Sequence, residues 1–386
     1  MLIRILRQAV SGVLNLRLPN GQAIRIDAEK PGMEAYLTLA NDKMPHKVSD
    51  RGTIGFAESY MDGDWSTGDL TKVIYFMLTN MDAIESSIRG HWWMRLLQFL
   101  QFKLHRNSKS GAKRNIHAHY DLGNAFYKSW LDESMTYSSG LYLHEDDNLE
   151  RSQYNKYRRI LDKIKPEAGQ SVLEIGCGWG GFAELLITET PAHYTGVTIS
   201  EEQYRFARER LANLRYHDGQ KAHVLAQDYR DIQGRFDHIV SIEMFEAVGQ
   251  EYWDTYFAQI KALLKPGGKA VIQTISIIER LFESYANESD FIRHYIFPGG
   301  MLPSIERLEK VLARQHLKIT ENFTFGKDYA RTLRAWSERF DTAWPVIKSD
   351  HFDERFRKMW QYYLCCCEAA FLSERINVHH LTIEHV

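Results

Sequence analysis

Apolar and polar positions alternate with period two over residues 11–27, "SGVLNLRLPNGQAIRID", with a break at Pro19-Asn20-Gly21. That pattern predicts a β-hairpin around a tight turn. Residues 91–104, "HWWMRLLQFLQFKL", are apolar and aromatic almost throughout. They read either as a helix packed on its own domain or as a face that meets lipid, since tryptophans flanked by basic residues suit a bilayer interface. From about residue 150 helical and strand periods take turns. "RSQYNKYRRILDKI" (151–164) has helical spacing, "SVLEIG" (171–176) is a buried strand, and a helix follows from about 180. "HYTGVTIS" (193–200) is a second strand with a helix over 201–213, "AHVLAQD" (222–228) a third and "FDHIVSI" (236–242) a fourth. Residues 252–276 give a helix, a glycine turn and a fifth strand. Such alternation predicts an α/β fold, a mostly parallel sheet with helices on both faces.

Between the two regimes lies "KLHRNSKSGAKR" (103–114), with five Lys or Arg and no acid. It is polar, bears Gly and Ser, and lacks periodicity, so it marks a boundary between an N-terminal domain (1–102) and a second domain (115–386). It reads as a solvated linker or as a segment drawn to anionic lipid headgroups, worth at most ~1 kcal/mol per basic residue. The chain has 386 residues, enough for two domains, and its 44% hydrophobic content is that of ordinary globular proteins. A net charge of −2 supplies no global attraction for nucleic acid. The four cysteines, Cys177 and the run Cys365 to Cys367, form no C-x-x-C pair, which suits a reducing cytosol. No run reaches ~18 apolar residues, so a membrane-spanning segment is not expected.

Candidate chemistry enters with "SVLEIGCGWGGFAELL" (171–186), where Gly176, Gly178 and Gly180 alternate at a strand end and Gly181 opens a helix. "GCGWGG" satisfies G-x-G-x-x-G, a weak signal by itself. A dinucleotide fold would place an acid about 20 residues later for the ribose. Here the second strand ends in "GVTIS", with Thr198 and Ser200 at that point. Instead Glu174 precedes the glycines, Asp228 follows the third strand in "AQDYRD", and "LKPGG" (264–268) precedes the fifth. This order of blocks is that of a class I S-adenosylmethionine methyltransferase, and it favours that nucleoside over a nicotinamide. Asp228 is placed to accept a hydrogen bond from an adenine amino group.

With these blocks assembled, the sequence resembles the cyclopropane-fatty-acyl-phospholipid synthase family from residue 52 to about 372. The resemblance rests on "GFAESYMDGDW" (55–65), "HYDLGNAFYKSWLDESMTYSSGLY" (119–142), "LEIGCGWGG" (173–181), "GVTISEEQ" (196–203), "QDYRD" (227–231), "SIEMFEAVG" (241–249), "YIFPGGMLPS" (295–304) and "LRAWSERF" (333–340). It implies a class I methyltransferase Rossmann-like domain behind a small N-terminal α+β domain that serves lipid engagement and dimer formation. It implies methyl transfer from S-adenosylmethionine to the cis double bond of an unsaturated phospholipid acyl chain, followed by proton loss and ring closure. The location it implies is cytoplasmic, peripheral on the inner face of the membrane, with a homodimer as partner state. Matched positions for the cofactor are Tyr137, Ser138, Glu174, Gly176, Gly178, Gly180, Thr198, Gln203, Asp228 and Tyr229.

The family's base is a bound bicarbonate, held by a cysteine, a glutamate, a histidine, a tyrosine and a backbone group at an isoleucine. Glu246 and Tyr329 match, and Ile275 takes the backbone position. Ser139 stands where the cysteine is usual and Gln273 where the histidine is usual; both still donate hydrogen bonds, but no imidazolium faces the anion. Glu243 and Ala247 stand where many members carry glycine and histidine. These departures leave open a cyclopropane, or a methyl- or methylene-branched chain formed when the cation loses a different proton. Capture of a water placed by Glu243 would give a hydroxylated branch. Aromatic faces stabilise a carbocation, and Tyr137, Tyr295 and Tyr329 lie in family blocks. His119 and Tyr120 suit a pocket wall. Cys365 to Cys367 read as part of a core helix, Leu333, Trp336 and Phe340 as a core stripe, and His379 and His380 as neighbours facing opposite sides of an extended chain. No metal site is expected.

Overall fold

The computed structural model describes residues 2–85 and 122–386, so the aromatic stretch at 91–104, the basic segment at 103–114, His119 and Tyr120 lie outside the described residues. The chain divides into two compact units. One takes in the described residues of Met1–Leu104 together with Asn287–Ile296 and Leu333–Arg375; the other holds those of His105–Ala286 with Phe297–Thr332 and Ile376–Val386. The first unit is therefore built from three chain segments rather than from the single block 1–102.

In the first unit the alternating residues form the hairpin: β1 (Ser11–Arg17) pairs antiparallel with β2 (Ala23–Asp27), and Gly21 takes the turn at a φ of 86°. β3 (Lys30–Leu39) runs parallel to β1, and β4 (Trp65–Ser66) completes the order β2-β1-β3-β4. Asn80, on the helix Leu70–Glu85, accepts from the backbone N–H groups of Val10 and Ser11. Thr71 of the same helix donates to Glu368 (2.7 Å), and the Arg375 guanidinium donates to the carbonyl of Leu78, which binds residues 333–375 to this unit. Cys365 to Cys367 lie in the helix Glu354–Leu372, and Leu333, Trp336 and Phe340 are buried, as the helical spacing predicts.

The second unit is a seven-stranded sheet of order β10-β11-β9-β8-β5-β6-β7. Its strands are β5 (Ser171–Ile175), β6 (His193–Thr198), β7 (Ala222–Ala226), β8 (Phe236–Ile242), β9 (Leu264–Ile277), β10 (Leu317–Thr324) and β11 (Ile376–His385). The β9-β8-β5-β6-β7 pairs are parallel; β11 and β10 add on antiparallel. Successive side chains serve opposite faces. Leu173, Ile239 and Ile272 join a core with Phe257 and Ile260, while Val172, Val240 and Val271 pack with Ile160, Phe182 and Leu186. Both faces are thus covered, as expected of a parallel sheet. The "LKPGG" segment is a bulge at the start of β9: the register jumps between Phe236↔Leu264 and His238↔Lys269. Chain order runs outward from β5 through β6 to β7, then restarts at β8 on the other side. That reversal creates a crevice at the carboxyl ends of the strands, where α/β sheets bind their ligands.

Candidate active site

The glycine loop leaves the carboxyl end of β5 and is fastened to β6, because the N–H groups of Gly176 and Cys177 both donate to the carbonyl of Val197. Gly178 has a φ of 52°, and a Cβ built there meets nothing within 4 Å. The backbone at this point borders open space that a ligand can approach closely. Gly180 caps the helix Gly181–Glu189, and a Cβ there would touch Ala207 at 3.3 Å, so it serves helix packing. Trp179 donates from Nε1 to Asn124 (2.8 Å), and its ring lies 5.2 Å from Tyr127, which in turn lies 5.4 Å from Tyr137. Tyr137 also meets Trp130 and Phe297, so an aromatic group flanks the loop.

Other predicted cofactor residues follow at the strand ends. Thr198 donates to Gln203 (2.9 Å), and Ser200 caps the helix Glu201–Ala212; all three are buried. Glu174 is buried beneath the loop with the Tyr194 hydroxyl on its carboxylate, and burial pushes its carboxyl up to about 8. Asp228 receives a fork from Arg230, with Nε at 2.8 Å on one oxygen and Nη2 at 2.7 Å on the other, besides the Arg230 N–H. Tyr229 packs edge-on to Tyr256, and burial raises its hydroxyl to about 12.

A second cluster forms where β8 ends. Met244 carries it to the glycine loop: a Cβ at Gly176 would sit 2.7 Å from the Met244 Cγ. On either side of Met244 stand two carboxyls. Glu243 accepts from the Ser139 backbone N–H (2.8 Å) and the Gln273 amide (2.6 Å) on one oxygen, and from the Tyr329 hydroxyl (2.5 Å) on the other. Glu246 accepts from the Ile275 N–H (2.5 Å) and the Thr274 hydroxyl (3.0 Å) on Oε1, while its buried Oε2 has no hydrogen-bond partner. Four of the five residues matched to the family's anion site therefore donate here to two carboxyls, of which Glu246 is the fifth and Glu243 is additional. The Ser139 hydroxyl donates to the carbonyl of Gly140, so Ser139 reaches the site through its backbone, not through the side chain that replaces the usual cysteine. Gln273 is held by His380, whose Nε2 lies 2.8 Å from the amide oxygen and must carry the proton. Burial drives His380 well below the ordinary histidine range, which keeps it neutral.

Burial also pushes both carboxyls up. Glu246 reaches about 8, helped by repulsion from Glu243 and opposed by its two donors. Glu243 is raised by burial too, against the pull of Tyr329, Ser139, Lys156 and Gln273. Lys156 is fully buried on the helix Leu149–Ile164; its ammonium donates to Ser138 (2.6 Å) over the face of Tyr157, and burial lowers it to about 7. No motif in the sequence marks Lys156. Its signal was the buried stripe Leu149, Ser152, Gln153, Lys156 and Ile160, in which a lysine takes an inward position. Tyr295 belongs to the other unit, where its hydroxyl donates to Glu58 (2.6 Å). His379 and His380 do face opposite sides of β11, the former bonding Ser276 and Asn322. Among the described residues no group of three His, Cys, Asp or Glu is placed to hold a metal.

Comparison with known proteins places this geometry in context. The family model described as mycolic acid cyclopropane synthetase matches residues 107–381. A cyclopropane-fatty-acyl-phospholipid synthase of Escherichia coli K12 is 37% identical over 346 residues, covering 89% of this chain and 86% of its own. The tuberculostearic acid methyltransferase UfaA1 of Mycobacterium tuberculosis is 35% identical over 98% of this chain and 90% of its own. Among solved structures, the mycolic acid cyclopropane synthase CmaA1 complexed with SAH and CTAB superposes with a TM-score of 0.65 at 28% identity, over 70% of this chain and 97% of that one.

Proposed function

This chain belongs to the mycolic acid cyclopropane synthetase family and is an S-adenosylmethionine-dependent methyltransferase, and from that premise we propose that it methylates the cis double bond of unsaturated phospholipid acyl chains, closing a cyclopropane. The observation that carries the reading is the buried pair Glu243 and Glu246, joined through Met244 to the glycine loop, with Oε2 of Glu246 unpartnered. S-adenosylmethionine fits the loop, where the space beside Gly178 is open. Gly178 gives its backbone approach, with Gly176 and Gly180 setting the loop against Met244 and Ala207; Thr198, Gln203, Asp228 and Tyr229 follow the neighbouring strand ends, Tyr137 and Ser138 precede the helix Leu149–Ile164, and Glu174 supports the loop from β5. When bound, it supplies an electrophilic sulfonium methyl.

An alkene is a weak nucleophile, so the pocket's first task is to hold the double bond in line with the methyl and to exclude water. Attack leaves positive charge on the lipid chain. The buried Glu243 carboxylate stabilises developing charge strongly where water is excluded, and the aromatic faces around Tyr137 add to this. Glu246, Tyr329, Ser139, Gln273 and the backbone at Ile275 form the centre that receives the cation. Phospholipid is favoured as substrate by the 37% identity to the Escherichia coli synthase over most of both chains. The protein meets it at the inner face of the membrane from the cytoplasm, with the first unit and the basic segment 103–114 aiding engagement and homodimer formation; nucleic acid is not a partner. No helix among the described residues is long and apolar enough to cross a membrane. A branched product is the second reading, supported by the 35% identity to a tuberculostearic acid methyltransferase.

Purified protein incubated with S-adenosylmethionine and vesicles tests the proposal. Monounsaturated phospholipid should yield S-adenosylhomocysteine and acyl chains heavier by one carbon; saturated phospholipid should yield neither. Equal turnover on both, or none on either, overturns it.

A further inference from the structure

We propose that the Glu243 carboxylate occupies the anion seat of this centre and is itself the base that accepts the proton after methyl transfer, so that catalysis runs without bicarbonate. The inference rests on the methyltransferase reading above. Bicarbonate does not fit the residues present. Three of the positions that would hold it, Ser139, Gln273 and Tyr329, already donate to Glu243 at 2.8, 2.6 and 2.5 Å. A fourth, the Ile275 N–H, donates to Glu246 at 2.5 Å. A free anion would have to displace Glu243 from its three donors.

The backbone points the same way. Glu243 has a φ of 48°, in the left-handed region that costs a non-glycine residue energy. Strain of this kind persists where the surroundings fix it, and it clusters at functional sites. Here three hydrogen bonds hold the side chain in place. The departures from the family pattern become one change. Where a free anion would call for a charged imidazole, the tethered carboxylate is met by the neutral amide of Gln273, itself oriented by His380 at 2.8 Å. Burial raises Glu243 above the ordinary carboxyl range, which makes it the stronger base.

The step balances. The π pair of the alkene forms the new carbon–methyl bond while the sulfur–carbon pair stays on sulfur, releasing S-adenosylhomocysteine. The other alkene carbon is left cationic. Glu243 takes a proton from the new methyl, the C–H pair closes the ring onto the cation, and the neutral carboxylic acid returns its proton to solvent before the next turnover. If the proton comes instead from an adjacent chain carbon, the C–H pair becomes a double bond and the product is branched.

The test assays the full chain on monounsaturated phospholipid vesicles in carbonate-free buffer, with and without added bicarbonate. It follows S-adenosylhomocysteine and lipid products for wild type, Glu243→Gly and Glu243→Gln. Glycine suits the backbone at this position and empties the seat; glutamine keeps it filled without a base. Wild-type ring formation should be indifferent to bicarbonate. Both variants should lose about 100-fold in it, the ordinary contribution of a general base, and only Glu243→Gly should recover by about tenfold with bicarbonate. Bicarbonate-dependent wild type, or full carbonate-free ring formation by the Glu243→Gln protein, overturns the inference. Failure of wild type to release S-adenosylhomocysteine under either condition would instead remove the methyltransferase reading beneath it.

Discussion

Replacing Glu246 with Gln should make the protein more stable at alkaline pH while impairing catalysis. The carboxyl is raised from 4.5 to about 8, first by burial and then by repulsion from Glu243, with the Ile275 N–H and Thr274 only partly compensating. A carboxyl that holds its proton more tightly folded than unfolded supports the fold fully below pH 4.5. That support is lost as pH rises towards 8 and is gone above it. The slope is about 1.4 kcal/mol per pH unit, so the window from 4.5 to about 8 amounts to at most about 5 kcal/mol. Glutamine has the shape of the neutral acid and no proton to lose. Its oxygen accepts the same two donors, and its amide takes the place of the unpartnered Oε2. Urea unfolding of both chains from pH 5 to pH 9 measures the difference, in which groups not coupled to Glu246 cancel and the relief of Glu243 from its neighbour's charge is included. The chains should agree within about 1 kcal/mol at pH 5, and the variant should be ahead by about 2–5 kcal/mol at pH 8.5. A difference that stays constant with pH would refute the burial of a carboxyl at this point.

Gly178→Asn and Gly178→Val separate strain from exclusion. Asn tolerates the left-handed backbone and should cost only a few degrees of Tm, whereas Val should cost about 1–2 kcal/mol more; both side chains enter the open space, so calorimetry should find S-adenosylmethionine binding lost in each, and unchanged affinity in Gly178→Asn would remove the loop from the cofactor site. Vesicle binding by the full chain should weaken as salt rises, because exposed charges are screened within ~8 Å at physiological ionic strength; salt-independent sedimentation with anionic vesicles would exclude an electrostatic role for the 103–114 segment.

Local regularities were readable and distant ones were not. The helix expected at 151–164 is Leu149–Ile164, and the one expected at 201–213 is Glu201–Ala212, because cap residues such as Asn148 and Ser200 mark their starts. The parallel strands β5 to β9 follow from short apolar runs spaced by helices. β10 and the full extent of β11 did not declare themselves, since their partners lie far along the chain: Thr324 pairs with His379, and Val378 with Ile275. Nor does composition show that residues 287–296 and 333–375 join the N-terminal unit, a grouping made by contacts such as Thr71 with Glu368.

At the site, residue types told more than roles. Ser139, Gln273, Ile275, Tyr329 and Glu246, matched by motif to an anion site, lie together in the structure, but that they close on Glu243 was not legible. Glu243 looked like one departure among several, because a positive φ and three converging donors exist only in the folded chain. The same holds for Asp228, whose carboxylate meets Arg230 two residues on, and for Lys156, which its helix register turns inward.

The most direct measurement uses a host without cyclopropane lipids that expresses this chain and is fed methionine with a deuterated methyl group. Mass spectrometry of its phospholipids should show cyclopropane acyl chains that retain two of the three deuterium atoms, the third having left as the proton taken in ring closure. A methyl branch keeping all three would assign the second reading, as would a methylene branch, which keeps two in a C=CD2 group in place of a ring. Acyl chains free of deuterium, from cells in which the protein is folded and abundant, would contradict the account.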